Sequence, residues 1–468
     1  MKIGASMLHP SRLAGSSSKW SGILALAVIL LFPTVAPAQQ SVPAKKNAQP
    51  SSKIQPQYRE VEELLRQGLI EQAKEKVQEE LSRNPSSVEG YNLLGIIYSD
   101  QKDYANAFEA FQRALQLDPN STRTRNNLGN VYVAQEKLGR AEKEFREVLR
   151  LDPGNRDGNY NLGLVLMAKG APSESITHFL RVRPLNIATR FNLTRAYLRA
   201  GRTSDGLKGA RELSAENERD VQLHFTLGVL LASEKQYRAA QLELEKANAL
   251  QPETLEILYN LGQAYLRSGA YAKAELVLNR ALKLKPDSPE TLYLMAQVYS
   301  DQTRAVDALD LLMRAHKLAP ENTDVIFLLA RVSMSQNYFE DAIPLLESGL
   351  KIAPKRADLH AALGESYFMS GKSEKAIEEF RALIELDPMA RSYAFMGLSY
   401  RHLGRFDEAR KYFEEGLKQD HYNASCLFNL GYIEERQGNH QKAEQLFQEA
   451  LRSKPDYSEA LLELANLR

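Results

Sequence analysis

Prolines recur along this chain at a spacing of 34 residues, and this period constrains the fold more than any local motif. A small residue recurs in step with the prolines, and a second small residue follows each of the first by twelve positions. The prolines are Pro85, Pro119 and Pro153, and then Pro252, Pro286, Pro320, Pro354 and Pro388. The first small positions are Gly95, Gly129, Gly163, Gly228, Gly262, Ala296, Ala330, Gly364, Gly397 and Gly431. The second small positions are Ala107, Ala141, Ser175, Ala240, Ala274, Ala308, Ala342, Ala376, Ala409 and Ala443. A fixed period of this length indicates an array of structural repeats.

The physical basis of one repeat is visible in residues 255–288. Apolar residues at helical spacing predict a first helix over 255–268 and a second over 271–283, and Pro286 ends the second. Gly262 and Ala274 are small because the two helices cross closely there. Each helix pair leaves one apolar side uncovered, so neighbouring pairs are expected to stack.

This pattern resembles the tetratricopeptide repeat family. The matching residues are Leu261, Gly262 and Tyr265 in the first helix, Ala274 in the second and the terminal Pro286. The resemblance implies an all-α fold, a right-handed α-solenoid of stacked helix-turn-helix repeats, made of about twelve repeats over residues 54–457. Residues 458–468 are expected to form a C-terminal cap helix. The repeats are predicted at 54–87, 88–121, 122–155, 156–186, 187–220, 221–254, 255–288, 289–322, 323–356, 357–389, 390–423 and 424–457.

Two consecutive repeats depart from the pattern. The repeat at 156–186 is three residues short, and the next one carries Thr194 and Gly206 at its two small positions. Gly206 and Gly209 fall inside a predicted helix, where glycine costs about 0.5–1 kcal/mol relative to alanine. We therefore expect the junction at 181–187 to bend or loosen the array.

The N-terminus reads as a targeting segment. Three basic residues, Lys2, Arg12 and Lys19, precede an apolar run over 22–32 and an Ala-x-Ala site that ends at Ala38. This order is typical of a secretory signal peptide, so residues 1–38 are predicted to be removed. Residues 39–53 then form a flexible linker. The mature chain is expected to be exported, to the periplasm of a Gram-negative cell, without membrane insertion. The alternative is an uncleaved N-terminal membrane anchor.

Composition and motifs argue against several classes of function. The chain has 60 Lys+Arg against 59 Asp+Glu, a net charge of +1, and removal of the three N-terminal cations leaves −2, so nucleic acid is not an expected partner. Its one cysteine, Cys426, can form neither an intramolecular disulfide nor a cysteine-rich zinc site. The eight histidines are scattered, and no phosphate loop or nucleophile elbow is present. We therefore predict no enzyme activity, no cofactor and no metal site.

The resemblance implies a concave groove built from the first helix of each repeat. Counted along that helix, position five is aromatic in six consecutive repeats, position six is often asparagine, and positions nine and thirteen supply arginines. The candidate groove residues are Tyr160, Phe191, Phe225, Tyr259, Tyr293, Phe327, Arg195, Arg199, Arg267, Arg331, Asn127 and Asn161. Asparagine can bond the backbone of an extended peptide with both its donor and its acceptor. The alternative is that the aromatic and asparagine positions serve packing between repeats.

These residues lead to a hypothesis about partners. Chaperone-binding members of the family hold a peptide carboxylate with lysine, asparagine and arginine, but here only Asn130 and Asn161 match that set, so this activity is not predicted. Arg195 and Arg199 are four residues apart and face the same way beside Phe191. We expect an acidic or C-terminal peptide segment to dock there, with Phe225 and Tyr259 extending an apolar floor. The alternative is that the two arginines only neutralise nearby acids.

The resulting functional prediction is a non-enzymatic scaffold or assembly factor that binds segments of partner proteins in its groove. The alternative is a repeat component of a polysaccharide or glycan export or modification complex. The sequence does not indicate an oligomeric state.

Overall fold

The computed structural model describes residues 58–467, and that range contains 25 α-helices and no strand. The predicted signal peptide and linker lie outside the described residues. The helices are α1 (Arg59–Arg66), α2 (Ile70–Arg83), α3 (Val88–Asp100), α4 (Tyr104–Leu117), α5 (Thr122–Ala134), α6 (Leu138–Leu151), α7 (Arg156–Ala168), α8 (Pro172–Arg181), α9 (Ile187–Arg199), α10 (Thr203–Glu216), α11 (Val221–Ser233), α12 (Tyr237–Leu250), α13 (Leu255–Arg267), α14 (Tyr271–Leu284), α15 (Pro289–Asp301), α16 (Ala305–Leu318), α17 (Thr323–Ser335), α18 (Phe339–Ile352), α19 (Ala357–Met369), α20 (Ser373–Leu386), α21 (Ala390–His402), α22 (Phe406–Gln419), α23 (Ala424–Arg436), α24 (His440–Ser453) and α25 (Ser458–Asn466).

The helices form successive pairs, in which an odd-numbered first helix packs on the even-numbered second helix that follows it. Polar N-caps start many first helices; the Ser87 side chain, for example, accepts a hydrogen bond from the Gly90 amide at 3.1 Å. The turn within a pair often passes through a residue of positive φ, such as Gly269 at 78°. The predicted all-α fold of stacked helix-turn-helix repeats is confirmed.

The small positions permit close helix crossing, as predicted. A Cβ atom added at Gly262 would lie 2.5 Å from Leu278 Cδ2, and one added at Gly129 would lie 2.5 Å from Phe145 Cε1. Real carbon atoms do not approach this closely, so a side chain at either position would push the paired helices apart.

The chain divides into two compact units at Pro252 and Glu253. We call the described residues 58–252 unit 1 and residues 253–467 unit 2. Unit 1 contains α1 to α12 and unit 2 contains α13 to α25. Within the part of the chain that the structure describes, no helix has the length and apolar character to cross a membrane.

The expected bend or loosening of the array at 181–187 stays a prediction. Helix α8 is short, at 10 residues, yet it packs against α9, and the sparsest packing between consecutive helices of unit 1 is that of α10 against α11. Added Cβ atoms would lie 2.6 Å from Leu198 Cδ2 at Gly206 and 2.7 Å from Thr194 Oγ1 at Gly209. The two glycines therefore accommodate the larger residues of α9.

The last helix, α25, packs against α24 and buries Ala460. Leu461 and Leu462 on the same helix are 50% and 62% exposed. The cap therefore covers the preceding pair but leaves an apolar edge of its own in contact with solvent.

Candidate functional site

Unit 1 contains a pocket of about 140 Å³ between the first helices α5, α7 and α9 and the second helix α6. Its rim carries two asparagines and two arginines, and its walls are apolar. The rim residues are Asn130, Asn161, Arg195 and Arg199, and the wall residues are Val133, Leu138, Phe145, Leu164, Val165, Met167 and Ala168. We call this the unit 1 pocket. It brings together three of the predicted groove residues, Asn161, Arg195 and Arg199.

Arg195 holds a positive charge with little compensation. Its Nη2 atom donates to Asn192 Oδ1 at 2.7 Å, while its buried Nε atom has no hydrogen-bond partner among residues 58–467. Burial lowers the pKa of Arg195, the charge of Arg199 lowers it further, and Tyr160 and Glu234 act in the opposite direction without contacting the guanidinium. A desolvated charge without an opposite charge in contact is costly.

Arg199 is different, although it lies on the same face of α9. Its side chain is exposed, and its Nε atom donates to Oε1 of Glu234, the residue that follows α11, at 2.9 Å. The alternative that these arginines neutralise nearby acids therefore applies to Arg199, whereas Arg195 has no ion pair in the described part of the chain.

Side-chain amides link neighbouring first helices across unit 1. Asn161 Nδ2 donates to Asn130 Oδ1 at 3.2 Å, and Asn127 Nδ2 donates to Asn92 Oδ1 at 2.9 Å. An asparagine offers two N–H donors and an oxygen with two lone pairs. Each pair therefore uses only part of its hydrogen-bonding capacity, and the Asn130–Asn161 pair has the rest available at the rim of the unit 1 pocket.

The aromatic residues of unit 1 do not form one open stripe. Tyr160 is half-buried, accepts a hydrogen bond from Asn192 Nδ2 at 3.2 Å and has its pKa raised by burial. Phe225 is also half-buried. Phe191 is only 2% exposed, because it packs inside the helix layers, so it cannot present its ring to a ligand. The expectation that Phe191 forms groove surface is corrected accordingly.

The remaining aromatic candidates lie in unit 2 and take no part in the unit 1 pocket. Tyr259 and Tyr293 are half-buried, and burial raises the pKa of each to about 12. Phe327 is half-buried beneath the guanidinium of Arg356, whose central carbon lies 5.4 Å from the ring centroid. Packing therefore covers much of the surface of Tyr259 and Tyr293, and Arg356 covers one face of Phe327.

The two arginine candidates of unit 2 differ in their environment. Arg331 Nη1 pairs with Glu365 Oε2 at 3.2 Å, so its charge is balanced. Arg267 is exposed at the end of α13. Neither residue lines the unit 1 pocket.

Sequence reasoning missed the apolar walls of the pocket. Leu164 and Met167 stand at positions nine and twelve of α7, while position nine of the flanking first helices carries Asn130 and Arg195. An apolar position nine between two polar ones was the available signal. No sequence signal indicated that Leu138 and Phe145, which lie on a second helix, also line the pocket.

No group of three or more histidine, cysteine or acidic side chains in residues 58–467 could hold a metal ion. Cys426 is fully buried, and burial raises its pKa to about 12, so its thiolate is scarcely populated near neutral pH.

Comparison with protein families agrees with the helix pairs. Family models described as tetratricopeptide repeat match residues 88–121, 126–186, 333–398 and 388–456. A model described as anaphase-promoting complex, cyclosome, subunit 3 matches residues 233–315 and 267–349.

Individual relatives are similar over part of the chain or at low identity. The TPR repeat-containing protein YpiA of Bacillus subtilis strain 168 is 32% identical over 99 residues, which are 21% of this chain and 23% of that protein. Among solved structures, MamA is 28% identical, with 37% of this chain and 94% of that chain covered and a TM-score of 0.35.

Two structures of lower identity match along more of the chain. Cut9 in the APC/C hetero-tetramer Cut9–Hcn1 is 14% identical, with 87% and 95% covered and a TM-score of 0.42. Yeast Tom70 is 17% identical, with 87% and 93% covered and a TM-score of 0.37. From its repeated helix pairs and the matching repeat models, this chain belongs to the tetratricopeptide repeat family.

Proposed function

We propose that this chain is a scaffold or assembly factor that binds segments of partner proteins on the first helices of unit 1. The observation that carries the proposal is the half-buried Arg195, which has no carboxylate partner in residues 58–467 and stands at the rim of an apolar pocket. The ligand that these features fit is a peptide segment with a carboxylate and an apolar side chain.

The carboxylate of the ligand supplies the negative charge that would balance Arg195. A hydrogen bond to a charged group contributes about 1.5–3 kcal/mol, and the planar guanidinium can bond both oxygens of a carboxylate. Folding has already removed part of the water around Arg195, so ligand binding has less water to displace there. An incoming anion therefore gains more at Arg195 than at Arg199, whose charge Glu234 already balances.

The pocket and the amides supply the rest of the recognition. A volume of about 140 Å³ suits a single apolar side chain of the partner. Asn130 and Asn161 at the rim retain donor and acceptor capacity that can bond the backbone of an extended segment. In this proposal Arg195 recognises the carboxylate of the ligand, the pocket selects the size of its apolar side chain, and Asn130 and Asn161 bond its backbone.

We also propose that the mature protein works outside the cytoplasm, in a periplasm. The support is the order of basic residues, apolar run and Ala-x-Ala site over residues 1–38.

Site-specific photocrosslinking in cells tests the proposed binding surface. Benzoylphenylalanine replaces Ala168, an exposed residue of the pocket wall, or, as a control, Lys143, an exposed residue of the second helix α6. We expect partner adducts from position 168, few from position 143, and a loss of the adducts from position 168 when Arg195→Gln is added. Equal adducts from both positions, or no effect of Arg195→Gln in a folded protein, would overturn the proposal.

A further inference from the structure

A second cluster of cationic and phenolic groups lies in unit 2, on the first helices α21 and α23. The guanidinium carbon of Arg401 lies 4.8 Å from the ring centroid of Tyr432. Arg436, one turn along α23, lies over the same ring at 5.4 Å and donates to the Tyr432 hydroxyl from Nε and Nη2 at 3.2 and 3.0 Å. Two arginines from two helices therefore converge on one phenol.

The hydrogen-bonding groups left over in this cluster are donors. Arginine carries five N–H donors and no acceptor. Within residues 58–467, the side chain of Arg401 makes no hydrogen bond and no ion pair. The Tyr432 hydroxyl accepts from Arg436, so its own hydrogen is still available to donate. The free N–H groups of Arg401 and the hydroxyl of Tyr432 can therefore bond an acceptor group of a ligand.

The charge of Arg401 is also poorly compensated. Arg401 is half-buried, and burial lowers its pKa; the neighbours that act in the opposite direction are the phenols Tyr432 and Tyr457 and not carboxylates. Another half-buried arginine of unit 2, Arg356, shows the contrast, because it pairs with Asp324 at 2.8 Å. Burial of a cation without a carboxylate in contact is costly.

We propose that Arg401, Tyr432 and Arg436 form an anion site in unit 2 that binds a carboxylate. The planar guanidinium of Arg401 matches the two oxygens of a carboxylate, and the Tyr432 hydroxyl supplies a further donor. This site is distinct from the unit 1 pocket, and it rests on different residues and different contacts.

The surrounding charges favour a carboxylate over a phosphate. Glu435 and Glu463 act on the charge of Arg436, and Glu459 acts on Tyr457. The two glutamates that act on Arg436 repel a phosphate that carries close to two negative charges more strongly than a carboxylate that carries one. We therefore expect the site to favour a monovalent anion.

The test is a titration of the full chain labelled with ¹³C in its tyrosine rings, in which Tyr432→Phe identifies the Tyr432 signal. Sodium acetate is the first probe, with sodium chloride at equal ionic strength as the control. We expect a saturable shift of the Tyr432 signal with acetate, a response at least tenfold weaker in Arg401→Gln, and an unchanged response in Arg391→Gln. Arg391 is an exposed arginine of the same helix α21, over Phe395 at 5.2 Å.

Three blocked tripeptides then identify the source of the carboxylate. Acetyl-Ala-Glu-Ala-amide carries only a side-chain carboxylate, acetyl-Ala-Gln-Ala carries only a C-terminal one, and acetyl-Ala-Gln-Ala-amide carries neither. Either of the first two supports the site if it binds and the third does not. Binding of all three alike overturns the proposal.

A response to inorganic phosphate that is stronger than the response to acetate would overturn the assignment to a carboxylate. If Arg401→Gln loses its helical signal, Arg401→Lys keeps the charge but removes the planar fork, and it should still weaken the response. If Arg401→Gln is unfolded and Arg401→Lys responds to acetate as strongly as wild type, the proposed role of the planar guanidinium of Arg401 is rejected. Arg195→Gln in unit 1 should leave the Tyr432 response unchanged, so failure of the proposed function would not affect this result.

Discussion

Two glycine-to-alanine substitutions in one repeat should have opposite effects on stability. Gly129 lies inside α5, where an added Cβ would be 2.5 Å from Phe145 Cε1 and 2.7 Å from Phe145 Cζ, and Phe145 is fully buried. Gly139 lies in α6 of the same pair, and nothing stands within 4 Å of the position its Cβ would take. The helical backbone is common to both changes, so the difference between them isolates the packing of the helix crossing.

The magnitudes follow from these two environments. Alanine in place of a helical glycine gains about 0.5–1 kcal/mol, while overpacking a close-packed core costs about 1–3 kcal/mol. Gly139→Ala should therefore raise the free energy of local opening by up to about 1 kcal/mol. Gly129→Ala should lower it by about 1–2 kcal/mol, because the clash with Phe145 outweighs the gain in the helix.

Native-state hydrogen exchange of the amides of α5 and α6 measures this free energy directly, without the assumption that a repeat array unfolds in one step. Urea unfolding followed by circular dichroism supplies the same order of stability for the whole chain. If Gly129→Ala is as stable as Gly139→Ala or more stable, the small positions are not set by the helix crossing, and this explanation of the repeat pattern fails.

Three further predictions concern local stability, pH and processing. Amides of α10, over residues 203–216, should exchange faster than those of α6, over 138–151, because α10 packs sparsely against the helix that follows it whereas α6 packs closely against α7. Equal protection of the two helices would contradict this. His360 Nδ1 lies 2.6 Å from Glu379 Oε2, and this hydrogen bond raises the pKa of His360. The contribution of this pair to the free energy of unfolding is therefore fully present below the unfolded pKa of about 6.5, and it is lost as pH rises through the raised pKa of the folded state. The free energies of unfolding of wild type and His360→Gln, measured by urea titration, should converge at alkaline pH. A constant difference between them from pH 5 to 9 would refute this prediction. N-terminal sequencing of the mature protein should return Gln39, whereas an intact N-terminus would favour the anchored alternative.

The sequence predicted the repeat architecture well because the fold depends on local periodicity. Gly262 and Ala274 each mark a helix crossing by their size alone, and the crossing appears where their spacing places it. The observed helices Leu255–Arg267 and Tyr271–Leu284 each differ from the predicted ranges by one residue at the C-terminal end. Periodicity of this kind needs no information from distant parts of the chain.

The candidate site was only partly predictable, since its chemistry depends on contacts between repeats. Arg195 and Arg199 occupy one stripe of one helix, yet only Arg199 meets a carboxylate, which comes from Glu234, 35 residues further along. Position five predicted a common face for the aromatic residues but not that neighbouring helices bury Phe191. Arg356, which neutralises Asp324, is the N-cap residue of α19 and so lies just outside the helix pattern.

Binding of a captured partner segment to variants of α9 tests the account most directly. A fluorescently labelled peptide of the segment crosslinked at position 168 is titrated with wild type, Arg195→Gln and Arg199→Gln, each checked for helical signal and melting temperature. Loss of about 1.5–3 kcal/mol at the uncompensated arginine predicts an affinity about 10- to 150-fold weaker for Arg195→Gln, with a much smaller change for Arg199→Gln. Equal affinity of wild type and folded Arg195→Gln, or an equal loss in both variants, would contradict the claim that Arg195 anchors the partner.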